Sequence, residues 1–334
     1  MAGPVSVLVL GRAEVEALLE PEMLLAALSD AFVALSRGEV SMPPRVAALV
    51  PEHDGWLGGM LAHLPPAGVL GAKLVSLYPR NAALDIETHH AIVLVFDERT
   101  GVPTALLDGG SITALRTAGA SALATRLLAR EDARVLAVLG TGVQARSHLA
   151  AVSRVRDFSE IRVWGRQTER ARAFAREAAT SLGREVRAVS DLAEACRGAD
   201  VVCAATHAAE PVVLRELLAP GTHVTSVGYN SAGREVDGET VRDAHVIVES
   251  RAAVLADFPS GSNDLRWPIR DGLVLDGDAY SELGEVIDGR AAGRRDAGEL
   301  TLYKSVGVAV EDAAAAGLAL REAERRGIGR RVEL

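Results

Sequence analysis

The order of hydrophobic and polar positions predicts a chain that changes character along its length. From Pro4 to Gly38 a short strand precedes two stretches with apolar residues at i, i+3 and i+4, the spacing of helices that bury one face, and Gly38 closes the second. Alternating runs follow in RVAALV, GVLGAKLVSLYP and HHAIVLVFDE, set apart by Pro and Gly, and read as an antiparallel sheet. At GGSITALRTAGASALATRLLA the period becomes helical, with small residues that permit close packing.

The centre alternates regularly. Strands are predicted at 134–139, 161–164, 201–205, 223–227 and 245–249, with helices at 143–152, 168–181 and 191–196 between them. Short, continuously apolar strands alternating with helices point to a doubly wound parallel sheet, an α/β fold. Phe258 to Arg270 breaks the rhythm and reads as an irregular loop. A helix in YSELGEVIDGR, a strand or strand–turn in LTLYKSVGVAV and a C-terminal helix in VEDAAAAGLALREAERR complete the chain.

The chemistry-bearing feature is VLGTGVQARSHL. Gly140, Gly142 and Ala145 form G-x-G-x-x-A at a strand-to-helix junction, with Thr141, Val143 and Gln144 between and after the glycines. The first glycine permits a tight turn, the second lets a pyrophosphate approach the backbone, and the helix amides favour negative charge. An NAD site needs an acid about 20 residues further on, to hold the ribose 2′-hydroxyl. Here the sequence is WGRQTER: Gly165, Arg166 and Gln167 replace the acid, and Arg166 with Arg170 suits a 2′-phosphate. NADP(H) is therefore the expected cofactor, with NAD(H) as the alternative.

Composition adds exclusions. The 334 residues carry 36 Lys plus Arg against 45 Asp plus Glu, a net charge of −9 with both signs interspersed, which argues against a nucleic-acid partner. No apolar run reaches the ~18 uncharged residues of a spanning helix, and the N-terminus shows no signal pattern. A soluble, cytoplasmic protein without a membrane partner is expected. Cys196 and Cys203 have no metal-ligand partners at short spacing and read as reduced packing residues, with no metal site.

DGGSITALRTAGASALATRLLA followed by LGTGVQARSHL, and later GADVVCAAT, SELGEVIDG and LYKSVGVAVEDAAAA, resembles the ornithine cyclodeaminase and mu-crystallin family over almost the whole chain. The resemblance implies a homodimer in which a Rossmann domain, here 119–299, is inserted into a substrate-binding and dimerisation domain, here 1–118 with 300–334. It implies hydride transfer at the α-carbon of an amino or imino acid. By the same resemblance Arg45 and Lys73 hold the substrate carboxylate, and Thr88 and Arg116 touch the cofactor, Arg116 also lying near substrate. Thr206, His207, Val227 and Ser305 surround the adenosine or nicotinamide, and Val306 belongs with the substrate.

One departure separates branches of the family. Cyclodeaminases carry a catalytic Asp where GYNSAGREVD places Asn230, and an amide exchanges no proton at neutral pH. The chain is thus similar to the ketimine-reductase branch, which acts on a preformed C=N. Asn230 is then a substrate contact. The expected function is an NAD(P)H-dependent reduction of an imino acid, cyclic such as a pyrroline- or piperideine-2-carboxylate, or formed from a 2-oxo acid. The alternatives are a cyclodeaminase with recycled NAD and a non-catalytic ligand carrier. Lys73, between Arg45 and Arg116, is the candidate catalytic proton donor, with His89, His90 or a water as the alternatives. Trp56, Met60 and the Phe258–Trp267 loop are expected around the substrate side chain.

Overall fold

The computed structural model describes residues 4–275 and 280–334. The chain opens with β1 (Ser6–Leu10), α1 (Arg12–Leu18) and α2 (Pro21–Ser36); Pro21 takes the first helical turn of α2, and the Glu20 carboxylate accepts from the Met23 amide. Strands β2 (Val46–Val50), β3 (Gly55–Leu64), β4 (Val69–Leu77), β5 (His89–Phe96) and β6 (Pro103–Asp108) lead into α3 (Gly109–Leu128). The alternating part comprises β7 (Val135–Leu139), α4 (Val143–Val152), β8 (Glu160–Trp164), α5 (Thr168–Leu182), β9 (Arg187–Val189), α6 (Leu192–Cys196) and β10 (Val201–Ala204). It continues with β11 (His223–Ser226), α7 (Gly238–Asp243), β12 (His245–Val248), α8 (Arg251–Leu255), α9 (Asn263–Arg270), β13 (Ser281–Glu282), α10 (Leu283–Ile287) and β14 (Thr301–Lys304). Helix α11 (Ala309–Arg326) and β15 (Arg330–Glu333) end the chain.

These elements form two compact units, residues 1–116 with 307–334, and residues 117–306. The first contains a seven-stranded sheet in the order β15-β1-β6-β5-β4-β3-β2, antiparallel except between β1 and β6. One face of β3, β4 and β5 packs under α11. Strands β3, β6 and β15 escape the sequence reading: glycines interrupt the alternation of GWLGGMLAHL, and β15 is the charged run RRVE.

The second unit holds an eight-stranded, all-parallel sheet in the order β13-β12-β14-β11-β10-β7-β8-β9. Its winding reverses between β7 and β10, and ligands of such sheets bind beyond the strand C-termini at that point. Leu136 to Leu139 and Val201 to Ala204 are fully buried, which explains their unbroken apolar runs. Two expectations need correction. Residues 263–270 are helix α9, whose Ser262 cap accepts from the Asp264 amide; the preceding Pro, Gly and Ser make the whole segment look irregular. The domain boundary expected at 299/300 falls too early, because β14 lies between β11 and β12 with all its residues buried.

Both cysteines are buried free thiols; burial pushes Cys196 up to about 12 and Cys203 higher still. No helix among the described residues is long and apolar enough to cross a membrane.

A buried relay joins α3, α4 and β11. His148 Nδ1 lies 2.7 Å from the Gln144 carbonyl oxygen, which can only accept, so Nδ1 carries the hydrogen. Nε2 then accepts from Ser121 Oγ at 2.9 Å, and Ser121 Oγ accepts from Thr225 Oγ1 at 2.8 Å. Burial lowers His148 to about 4, although the Gln144 contact opposes this. Its folded value lies below the unfolded value near 6.5, so the unfolded chain binds more protons below that pH. The stabilisation is complete above about pH 6.5 and is lost on acidification, at up to about 1.4 kcal/mol per pH unit. The His148→Phe variant is expected to show a shallower fall in unfolding free energy between about pH 6.5 and 5 than the unsubstituted protein, measured by denaturant titration. Equal slopes would contradict a buried neutral imidazole.

Candidate active site

In the first unit the basic residues singled out in the sequence converge on the start of α11. That helix places Glu311 and Asp312 in its first turn, where the helix dipole favours negative charge. Asp312 Oδ2 lies 2.7 Å from Lys73 Nζ on β4, and Asp312 Oδ1 accepts from Arg116 Nε on α3 at 3.0 Å. Arg116 Nη1 also donates to Glu311. Thr113 Oγ1, one turn before Arg116, accepts from Lys73 Nζ at 3.4 Å. Arg45 donates from Nη2 to the Gly307 carbonyl at 2.9 Å. Gly307 has φ +75°, and a Cβ there would stand 2.7 Å from Arg116 Nη2, so glycine is required beside the guanidinium.

Burial governs the protonation of this cluster. Lys73 is only 3% exposed. Its desolvation, reinforced by Arg116 and Arg45 and opposed by Asp312, lowers the ammonium from 10.5 to about 8. Burial alone would raise Asp312, but Arg116 and Lys73 hold it below the usual carboxylate range. His89 falls to about 4 through burial and the nearby Lys73 and Arg116 charges. At neutral pH the cluster therefore contains an ionised Asp312, a largely protonated Lys73 and a neutral His89. His90 is exposed, Thr88 is half-buried just before β5, and Met60 sits directly across from Lys73, buried on the same sheet face. Trp56 is half-buried on that face too. The sequence reading missed Asp312 and Glu311, so the expected cations are not isolated.

In the second unit the remaining candidates gather beyond the C-terminal ends of the parallel strands. Gly140 follows β7 with φ +125°, and a Cβ there would meet the Ala205 carbonyl oxygen at 2.5 Å. Gly142 caps α4 without any side-chain bond, and a Cβ there would meet nothing within 4 Å. Val143 is exposed beside it and Ala145 is buried. The open backbone at a helix N-terminus fits a pyrophosphate. Gly165, after β8, closes against Thr141, whose Cγ2 would lie 2.6 Å from an added Cβ. Arg166, Gln167 and Arg170 are exposed just beyond.

Buried carboxylates that the sequence reading did not single out hold the other strand ends. Glu235 accepts from Thr206 N and Oγ1, after β10, at 2.6 and 2.7 Å. It also accepts from Ser226 Oγ and Gly228 N, around the end of β11, at 2.7 and 2.8 Å. Lys304 at the end of β14 pairs with Asp264 at 2.9 Å and donates to Gly228 O, next to Val227, at 2.7 Å. Glu249 accepts from Ser305 Oγ and, at 3.0 Å, from Val306 N. Asn230 donates to the carbonyl of exposed His207 at 3.3 Å and accepts from Ala232 N, so its amide joins two strand-end loops. No group of three or more His, Cys, Asp or Glu among the described residues is placed to hold a metal.

The open space at Gly142 distinguishes binding from folding. Gly142→Val is expected to melt within about 2 °C of the unsubstituted protein, since nothing is displaced, while raising KM for the dinucleotide roughly tenfold or more. Gly140→Val, at a left-handed position against Ala205, is expected to lower the melting temperature as well. A Gly142→Val protein with unchanged KM would contradict the assignment of the cradle.

The family model of the ornithine cyclodeaminase/mu-crystallin family matches residues 6–326. The chain is 38% identical over 300 residues to ketimine reductase mu-crystallin of Mus musculus, covering 89% of this chain and 90% of that one. Among solved structures, Δ1-pyrroline-2-carboxylate reductase of Thermococcus litoralis, in complex with NADH and L-proline, superposes with a TM-score of 0.93 at 37% identity, over 98% of this chain and 100% of its own. An archaeal alanine dehydrogenase dimer with bound NAD gives a TM-score of 0.90 at 28% identity, over 98% and 100% of the two chains. The chain belongs to the ornithine cyclodeaminase/mu-crystallin family.

Proposed function

We propose that this protein is an NAD(P)H-dependent reductase of α-imino acids, with Δ1-pyrroline-2-carboxylate and its six-membered analogue as the leading substrates. The observation that carries this reading is the convergence of Arg45, Lys73 and Arg116 on one buried cluster in the first unit. Guanidinium and ammonium groups in a desolvated setting suit a carboxylate, which accepts paired hydrogen bonds. The open cradle at Gly142 supports dinucleotide binding by the second unit. The relatives that act on ketimines and on pyrroline-2-carboxylate support the C=N as the reacting bond.

Bound NAD(P)H supplies the hydride. Reducing C=N to CH–NH also consumes one proton at nitrogen, and Lys73 Nζ is the donor in this reading; solvent then restores its proton. An ammonium at about 8 is protonated at neutral pH yet gives up its proton more readily than an ordinary lysine. Lys73 is therefore assigned the catalytic role, and Arg45 and Arg116 the carboxylate. Asn230 carries no exchangeable carboxyl proton, which favours reduction of a preformed imine over cyclodeamination.

NADPH oxidation with Δ1-pyrroline-2-carboxylate tests this directly. Turnover to proline is expected, with no ammonia released from ornithine or lysine. Lys73→Met is expected to lose at least about 100-fold in kcat while its NADPH dissociation constant stays unchanged. No oxidation across cyclic imino acids would overturn the reading, and full activity in Lys73→Met would remove the proton-donor role. We assign Arg166 and Arg170 to the 2′-phosphate, since no acid stands at the end of β8. Arg166→Ala should then raise KM for NADPH roughly tenfold and leave KM for NADH nearly constant.

The first sheet supports a homodimer. Val46, Leu57, Leu61, Leu74 and Ile92 are exposed on one face of β2 to β5, in register with one another, opposite the face that packs on α11. A contiguous apolar sheet face of this kind suits a second copy of the chain. Analytical ultracentrifugation is expected to show a dimer, and the double substitution Leu61→Asp, Leu74→Asp a monomer; a monomeric unsubstituted protein would contradict this.

A further inference from the structure

The carboxylate at the centre of the cluster has no part in the chemistry described so far, yet the cluster is arranged around it. We propose that Asp312 is a positioning residue that fixes Lys73 and Arg116 with one carboxylate, so that Lys73 presents its remaining N–H to the imine nitrogen and Arg116 its guanidinium to the substrate carboxylate. The inference rests on the assignment of Lys73 as proton donor.

Three observations converge. First, each oxygen of Asp312 serves a different base, Oδ2 Lys73 at 2.7 Å and Oδ1 Arg116 at 3.0 Å. Second, Asp312 Oδ2 at 2.7 Å and Thr113 Oγ1 at 3.4 Å flank Lys73 Nζ, so the ammonium is held from two sides. An ammonium carries three N–H donors, and these two contacts use at most two of them. Third, Asp312 is 2% exposed on α11, whereas Lys73 lies on β4 and Arg116 on α3, so a single buried group ties three elements. Glu311, beside it in the same turn, pairs with Arg116.

The charges facing Lys73 set the expected pH behaviour. They are Arg45 before β2, His89 on β5, Arg116 on α3 and Asp312 on α11, with Thr113 as the neutral neighbour. His89 is neutral above about pH 4, Arg45 and Arg116 lower the ammonium, and Asp312 is the charge that raises it most. The protonated ammonium is the active form, so activity falls as pH rises through its value. Removing the Asp312 charge moves that fall to lower pH.

The test is the pH profile of kcat/KM for Δ1-pyrroline-2-carboxylate reduction in the whole enzyme. Asp312→Asn is expected to move the alkaline limb down by roughly one pH unit or more, with the NADPH dissociation constant unchanged. Asp312→Glu keeps the charge on a longer arm and is expected to keep the limb while kcat falls roughly tenfold. Glu311→Gln removes a neighbouring buried carboxylate and is expected to leave the limb in place. An unmoved limb in Asp312→Asn, or full kcat in Asp312→Glu, would overturn the proposal. Lys73→Met separates the two readings: if that variant stays active the donor assignment itself fails, and if it is inactive while Asp312→Asn keeps its limb, only the role of Asp312 fails.

Discussion

A carboxylate shared between Lys73 and Arg116 in the interior of the first unit is the constraint on which the rest of this structure depends. Removing such ions from water costs several kcal/mol each, and their mutual attraction only partly offsets this. A buried ion pair is therefore weak evidence for a stabilising role, while deleting one member strands the others at about 3 to 5 kcal/mol. The fold meets this cost with elements drawn from distant parts of the chain: β4 supplies Lys73, α3 supplies Arg116, and the first turn of α11 supplies Asp312 and Glu311, whose charges the helix dipole favours.

The second unit applies the same economy to its strand ends. Loops that follow parallel strands need fixed conformations if their backbone is to meet a ligand, and few of their polar groups can rely on sheet bonds. Glu235 secures the ends of β10 and β11 together, the Lys304–Asp264 pair adds β14, and Glu249 holds Ser305 and Val306. Each carboxylate is buried with its bonds satisfied, the condition under which polar networks rigidify a site. At Gly142, by contrast, the backbone is left open.

Much of this was legible in the sequence because it rests on local rules. The glycine turn, the β–α alternation and the missing acid at the end of β8 are short-range features, and the structure places the glycine turn at the switch between β7 and β10. Arg45, Lys73 and Arg116 could be singled out through the resemblance to the family. Their partners could not: Glu311 and Asp312 read as an ordinary acidic first turn of a charged helix, and only the pairing of α11 with β4 and α3 makes them buried. Glu235 and Asp264 were hidden in the same way, by contacts 29 residues apart. Helix α9 was concealed by Pro268 within it and by the glycine and serines before it; β14 was legible as a strand, and only its place between β11 and β12 was hidden, by its distance from them along the chain.

The central claim is that the buried cluster is built for one carboxylate beside a reacting C=N. It is tested most directly by comparing L-proline with L-prolinamide as inhibitors of Δ1-pyrroline-2-carboxylate reduction, since the two differ little in shape and one lacks the charge. The account predicts that prolinamide binds roughly 100-fold more weakly than proline, the loss expected when charge-assisted hydrogen bonds to a buried cluster are forfeited. Equal inhibition by the two compounds would contradict it.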